Sequence, residues 1–177
     1  DLDGILDIAA GVTTGRDLAN DTDTMLARQK SWDSGEKIGP RTLLAGFIDG
    51  PGPFAGPSKV LVSTPEEAIK AVDKYAELGY VQIKMYSSLD PKLVPVIAKR
   101  ANEHGMRVSG HIPATMIAEQ AIEQGYDEVQ HVNMLFLDLW PDVTETRTPE
   151  RFTEVAWRLV KERPPHLLDP AVLSTPM

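Results

Sequence analysis

Apolar residues recur along this chain at two spacings, and the switch between them marks out the elements. In Tyr80-Val81-Gln82-Ile83-Lys84-Met85-Tyr86 and Arg107-Val108-Ser109-Gly110-His111-Ile112 apolar and polar positions alternate with a period of two, the pattern of a strand with one buried face. A third run, Glu128-Val129-Gln130-His131-Val132, is shorter and less regular. Between the runs the spacing changes to three and four. Ala68, Ile69, Val72, Tyr75, Ala76 and Leu78 fall on a helix opened by Ser63 or Thr64 as cap, with Pro65, Glu66 and Glu67 in the first turn and Gly79 as the stop. The same signals predict a helix over 1–10 stopped by Gly11, a strand over 12–14 running into a polar loop at 15–18, a helix over 22–37 and a strand over 41–48. Helices over 91–104 and 114–124 end at Gly105 and Gly125. Residues 49–57, rich in Gly and Pro, neither continue a strand nor start a helix, and the loop 49–62 is expected to cover an active site. Beyond Asn133 the part 134–177 is less regular, with a helix expected over 148–162 and an interrupted strand over 166–173.

Strands alternating with helices imply a parallel sheet with right-handed crossovers. The strand markers Val12, Thr42, Val81, Val108 and Val129 recur at intervals of about 20 to 40 residues, the scale of one barrel unit. A closed eight-unit barrel takes about 250 residues, and this chain has 177. The expectation is an incomplete (β/α)8 TIM barrel, one partial domain over 1–177 with five clear units and a less distinct sixth. An open doubly wound sheet is the competing fold. It is disfavoured because Gly11-Val12-Thr13-Thr14-Gly15 lacks the order and spacing of a phosphate-binding glycine fingerprint.

In a barrel the C-terminal ends of the strands converge on one pocket. Lys84, His111 and His131, each at or near the end of its run, would meet there. Gln82, Lys84 and Tyr86 share one strand face opposite Val81, Ile83 and Met85, and Ser109 and His111 lie opposite Val108, Gly110 and Ile112. The third run breaks the rule, because strict alternation puts His131 on the face of Val129. Two neutral imidazoles suit zinc or a similar ion. A lysine beside them is ordinarily a cation, with a pKa near 10.4. It needs a carboxylate partner, a depressed pKa suited to Schiff-base or base chemistry, or conversion by carbon dioxide into an anionic carbamate able to bridge two metals. Tyr86, on the face of Lys84, is a candidate substrate contact. Arg16 and Asp17 are expected to pair with neighbours or line the rim, and His104 and His166 read as structural.

Composition narrows the function classes. The chain is 42% hydrophobic and 25% charged, ordinary values for a folded domain. A net charge of -8 without a long basic run argues against nucleic-acid binding. No stretch approaches the roughly 18 apolar residues of a membrane span. There is no Cys, so any metal must rest on His, carboxylates or a modified side chain. The first residue is Asp1 rather than Met, which leaves a cytoplasmic or an exported location open.

Five short segments then occur in a telling order: Ala10-Gly11-Val12-Thr13-Thr14 with Arg16-Asp17, Gly39-Pro40-Arg41, Ile83-Lys84-Met85, Val108-Ser109-Gly110-His111 and Val129-Gln130-His131. Together they resemble the amidohydrolase superfamily, specifically its imidazolonepropionase-like and Xaa-Pro or Xaa-Arg dipeptidase-like, prolidase-like members, over most of residues 8–135. The resemblance implies barrel strands two to six or seven, without strands one and eight. It implies that Lys84 ends strand four and is carboxylated where two metals bind, and that His111 and His131 of strands five and six hold the second metal. The family's His-x-His pair of strand one and proton-shuttling Asp of strand eight have no counterpart here, and no His precedes His104. The implied chemistry is hydrolysis of an amide or other C–N bond in a small molecule or dipeptide, by water activated on one or two divalent metals, zinc first among them. The chain alone is predicted to be inactive. Two other readings stay open: a non-catalytic (β/α) binding or assembly domain, and a Schiff-base lysine barrel. An unclosed sheet further predicts homo-oligomers or association through the open barrel edge.

Overall fold

In the computed structural model, which describes residues 2–56 and 60–139, strands and helices alternate as the spacing predicts. Helix α1 (Leu2–Ala9) leads to β1 (Thr14–Asp17), α2 (Thr22–Asp33), β2 (Arg41–Ile48), α3 (Pro65–Glu77) and β3 (Gln82–Met85). A 3-10 turn, Pro91–Leu93, runs into α4 (Val94–Glu103), followed by β4 (Arg107–Gly110), α5 (Ala118–Glu123), β5 (Glu128–Val129) and a 3-10 stretch, Val132–Leu139. The helix expected over 148–162 and the strand over 166–173 lie outside the described residues.

The best-defined boundary is the start of α3. Thr64 Oγ1 accepts from the Glu67 amide at 3.2 Å and the Glu67 carboxylate accepts from the Thr64 amide at 3.2 Å, so two amides the helix cannot satisfy are satisfied reciprocally. At its end Gly79 takes φ +81°, a conformation costly for any residue with a Cβ.

All strands pair in parallel, in the order β1-β2-β3-β4-β5. Flat, such a sheet would hold β1 and β5 about 19 Å apart, four spacings of roughly 4.8 Å. Yet Arg16 of β1 meets Glu128 of β5 at 2.8 Å. The sheet is therefore curled into part of a barrel, an incomplete (β/α) barrel whose concave face brings the first and fifth strands within side-chain reach. Arg16 also donates to Gln82 Oε1 at 3.2 Å, Gln82 donates to Ser109 Oγ, and Gln130 donates to Glu128 at 2.6 Å. This polar layer fills the concave side below Lys84. The convex side is apolar: Ile83, Met85, Val108 and Ile112 are fully buried with Ala68 and Val72 of α3 and Ile97 and Ala101 of α4. No helix among the described residues is long and apolar enough to cross a membrane.

Several boundaries differ from the sequence reading. The first strand is Thr14–Asp17 rather than 12–14, because register with β2 pairs Thr14 with Arg41 and Asp17 with Leu44. The β-branched Val12 is left 42% exposed, so pairing outweighs intrinsic strand preference. Residues 15–17 are thus strand, not loop. Helix α2 stops at Asp33, four residues early, where Ser34 caps it and Gly35 turns to φ +74°. Helix α5 starts at Ala118 rather than 114, after Thr115 has taken φ +75°. Val81 precedes β3 and is 45% exposed, although alternation grouped it with the buried face.

Candidate active site at the strand ends

Lys84 lies on β3 and His111 directly after β4, and the register, with Lys84 opposite Ser109 and Met85 opposite Gly110, sets them side by side at the strand ends. The pairing is tight. A Cβ on Gly110 would fall 2.1 Å from the Met85 carbonyl oxygen, and φ is +150°, so only glycine lets the two strands close. His111 N then donates to Met85 O at 3.0 Å, and Tyr126 Oη to His111 O at 2.8 Å. On the ring, Nδ1 is hydrogen-bonded to Ser87 Oγ at 3.0 Å, which fixes the plane of the imidazole.

His131 reaches the same place by another route. Strand β5 ends at Val129, Gln130 N donates to Gly110 O at 2.8 Å, and His131 takes φ +66°. That left-handed residue breaks the alternation that would have turned its side chain away. Its ring meets the His111 ring edge-on with centroids 4.7 Å apart. His111 and His131 are thus in contact, with Lys84 near enough for its charge to act on both, and for His131 the reason is a backbone turn rather than a strand face.

Phe47 and Tyr86 complete the wall. Tyr86 lies over His111 with centroids 3.8 Å apart and meets Phe47 edge-on at 4.8 Å. Lys84 Nζ sits 5.9 Å and 5.8 Å from these two ring centroids. Tyr86 is half-buried, with a phenol pushed up first by burial and then by the charge of Asp49.

The electrostatics favour neutral donors. Burial, then the charges of Lys84 and His131, pushes the His111 imidazolium down to about 3, so the ring is neutral at physiological pH. Desolvation, then Lys84, lowers His131 as well. Burial lowers the Lys84 ammonium, against an opposing pull from Asp17. Among the described residues Lys84 makes no ion pair, and Asp17 is a carboxylate that acts on it through its charge. Two neutral imidazoles beside a desolvated amine are a donor set that suits a soft-to-borderline divalent metal. It is a partial set: among the described residues no three His, Asp or Glu side chains gather as a metal-holding group.

Sequence reasoning missed three participants. Ser87 orients His111, and Phe47 extends the aromatic wall. Asp49, the residue after β2, is fully buried and binds the amides of Gly50, Gly56 and Ser88 at 2.9, 2.7 and 2.9 Å. Burial raises its carboxyl while those amides and that of Leu89 pull it down. Arg16 and Asp17 do pair with neighbours: Arg16 spans the concave face, and Asp17 accepts from Asn20 at 3.1 and 3.0 Å. His104 is more than a helix-end residue, since its Nε2 bonds Asp73 of α3 at 2.7 Å. His166 lies outside the described residues. A hollow of about 550 Å³ between α4 and α5 lies on the helix side of the sheet, away from these residues, and is an open crevice without convergent chemistry.

No family model and no curated protein matches this chain. Solved structures do. A bottromycin amidohydrolase is 25% identical with a TM-score of 0.72, over 90% of this chain and 35% of its own. A provisionally assigned prolidase from Bifidobacterium longum is 26% identical with a TM-score of 0.57, over 68% of this chain and 33% of its own. A Xaa-Pro dipeptidase with methionine bound in its active site shares the fold at 20% identity and a TM-score of 0.57, over 86% of this chain and 45% of its own. This chain therefore spans about a third of the first two proteins and under half of the third. Curled parallel sheet and structural likeness agree: in fold this chain is similar to part of an amidohydrolase, with prolidases among the structures it resembles.

Proposed function

We propose that this chain forms one side of the active site of a metal-dependent amidohydrolase that cleaves an amide or related C–N bond, with dipeptides the leading substrate class. The observation that carries the reading is the meeting of Lys84, His111 and His131, two imidazoles held neutral and an amine stripped of part of its hydration. His111 and His131 would hold the metal, with the His111 ring oriented by Ser87 on Nδ1. When bound, a divalent metal supplies a Lewis acid and a water acidified from a pKa of 15.7 towards about 7. The protein's own part is to orient and to dry the site. Ser87 fixes the His111 ring, and Phe47 and Tyr86 exclude water from Lys84. A lowered ammonium leaves more of Lys84 as free amine, the form that adds carbon dioxide, releases a proton and becomes a carbamate anion. That anion would turn the one cation of the set into a ligand for one or two metals, zinc first among them. Tyr86 is the candidate substrate contact.

Metal analysis of the full-length protein beside an assay of Xaa-Pro dipeptides tests this. At least one equivalent of divalent metal is expected, with hydrolysis abolished by chelation and reduced at least a hundredfold in Lys84→Ala. A full-length protein that binds no divalent metal sinks the reading. The free-amine character of Lys84 equally favours a Schiff base, and borohydride trapping of Lys84 on a carbonyl substrate would decide for that instead.

A further inference from the structure

Asp49 stands outside the proposed chemistry, yet it is the most heavily engaged side chain near it. Its Oδ1 accepts from Gly50 and Ser88, and its Oδ2 from Gly56. Two of these donors belong to the loop after β2 and the third to the turn after β3, about forty residues further along the chain. The backbone of Asp49 binds the far end of its own loop, with Asp49 N donating to Val60 O at 3.2 Å and Val62 N to Asp49 O at 2.9 Å. The two loops touch directly as well. Ser88 Oγ donates to Phe54 O at 3.0 Å, and a Cβ on Gly50 would collide with the Ser88 carbonyl oxygen at 2.1 Å. Gly56 lies under the Tyr86 ring, where a Cβ would fall 2.9 Å from the ring carbons.

The turn that Asp49 grips contains Ser87, the hydroxyl on His111 Nδ1. Leu89 N closes the turn on Tyr86 O at 3.3 Å, and Ala114 N binds Ser87 O at 2.9 Å. A fully buried carboxylate accepting three amides is a rigid junction, because without it those amides would lose their partner at a site largely shielded from water. We propose that Asp49 is a positioning residue: by gripping the amide of Ser88 it holds Ser87 on His111 and Tyr86 over it, tying the loop 50–56 to the geometry of the site. The inference rests on the proposed function only in treating this wall as part of a site, and its test needs neither metal nor turnover.

The test compares the metal-free chain with Asp49→Ala and Ser87→Ala by amide hydrogen exchange and by ¹⁵N NMR of the His111 imidazole. In Asp49→Ala the Ser88 amide should exchange at least tenfold faster, together with Gly56, and the His111 Nδ1 resonance should move towards its position in Ser87→Ala. A folded Asp49→Ala protein whose Gly56 amide loosens while Ser88 and the His111 resonance stay as in the wild type would overturn the proposal. It would show that Asp49 caps its own loop and nothing more. Should Asp49→Ala not fold, the wild type decides: Gly56 and Ser88 are expected to share one protection factor within about threefold, and a hundredfold difference between them overturns the common junction.

Discussion

Helices α1 and α4 carry similar apolar faces and meet opposite ends. In α4, Val94, Ile97 and Ala101 are wholly buried between the sheet and α3. In α1, Leu2, Ile5 and Leu6 are 67%, 46% and 56% exposed, and the helix meets its surroundings through Gly4, packed against the Ile38 backbone and Trp32, and through an Asp3–Arg28 pair at 3.1 Å. Periodicity therefore states which face of a helix is fit for burial, and the neighbouring unit decides whether it is buried. Centre and margin of one sheet then differ in what a substitution costs, though their residues look alike.

Four substitutions probe that contrast. The largest effect is expected at the centre, where Gly110→Ala drives a methyl into the Met85 carbonyl at an unfavourable φ. It should cost about 4 kcal/mol or prevent folding, as read by urea denaturation. Next comes Ile97→Ala, which empties a fully buried site on α4 and should cost about 3 kcal/mol in the same measurement. A loss below about 1 kcal/mol would mean that the α3–α4 side is as loose as the margin. A smaller, pH-dependent effect belongs to Asp73, whose carboxyl is held below its usual value of 3.8 by Arg100 at 2.6 Å and then by His104. A lowered carboxyl stabilises the fold above its unfolded pKa and loses that contribution as pH falls through the folded value. The advantage of wild type over Asp73→Asn, no more than about 1 kcal/mol at this partly exposed site, should be present at pH 7 and shrink as the pH falls below 3.8. Smallest of all, Leu6→Ala on α1 should change stability by less than about 0.5 kcal/mol. A cost near that of Ile97→Ala would erase the distinction between the two helices.

Where local signals acted alone, the fold could be read from the sequence. The strand over 41–48 is observed as Arg41–Ile48, and Thr64, Pro65, Glu67 and Gly79 mark the ends of α3 because capping chemistry is decided within four residues. Register could not be read in the same way. Thr14–Asp17 displaced 12–14 because its partner strand, 27 positions away at Thr14 and Arg41, chose the pairing. The convergence of Lys84, His111 and His131 was legible from strand-end placement, but the turn at His131 was not, since a positive φ outside glycine leaves little trace in sequence. The distant partners of Arg16, and Asp49 itself, stayed hidden for a related reason. An arginine that spans a sheet and a carboxylate that joins two loops get their meaning from residues far along the chain. The one local hint was Asp49 followed by Gly50, an acceptor beside a residue free to bring its amide round.

The strands lie in the sheet in the order in which the chain runs. During synthesis each new strand therefore finds its partner already made, at the growing edge, and need not insert between two others. Assembly can follow the ribosome one unit at a time, with low contact order at every step. The Arg16–Glu128 pair, which joins the first strand to the fifth across 112 positions, must wait for the last of these strands. It is less a brace for the early units than a record that the curl has been completed.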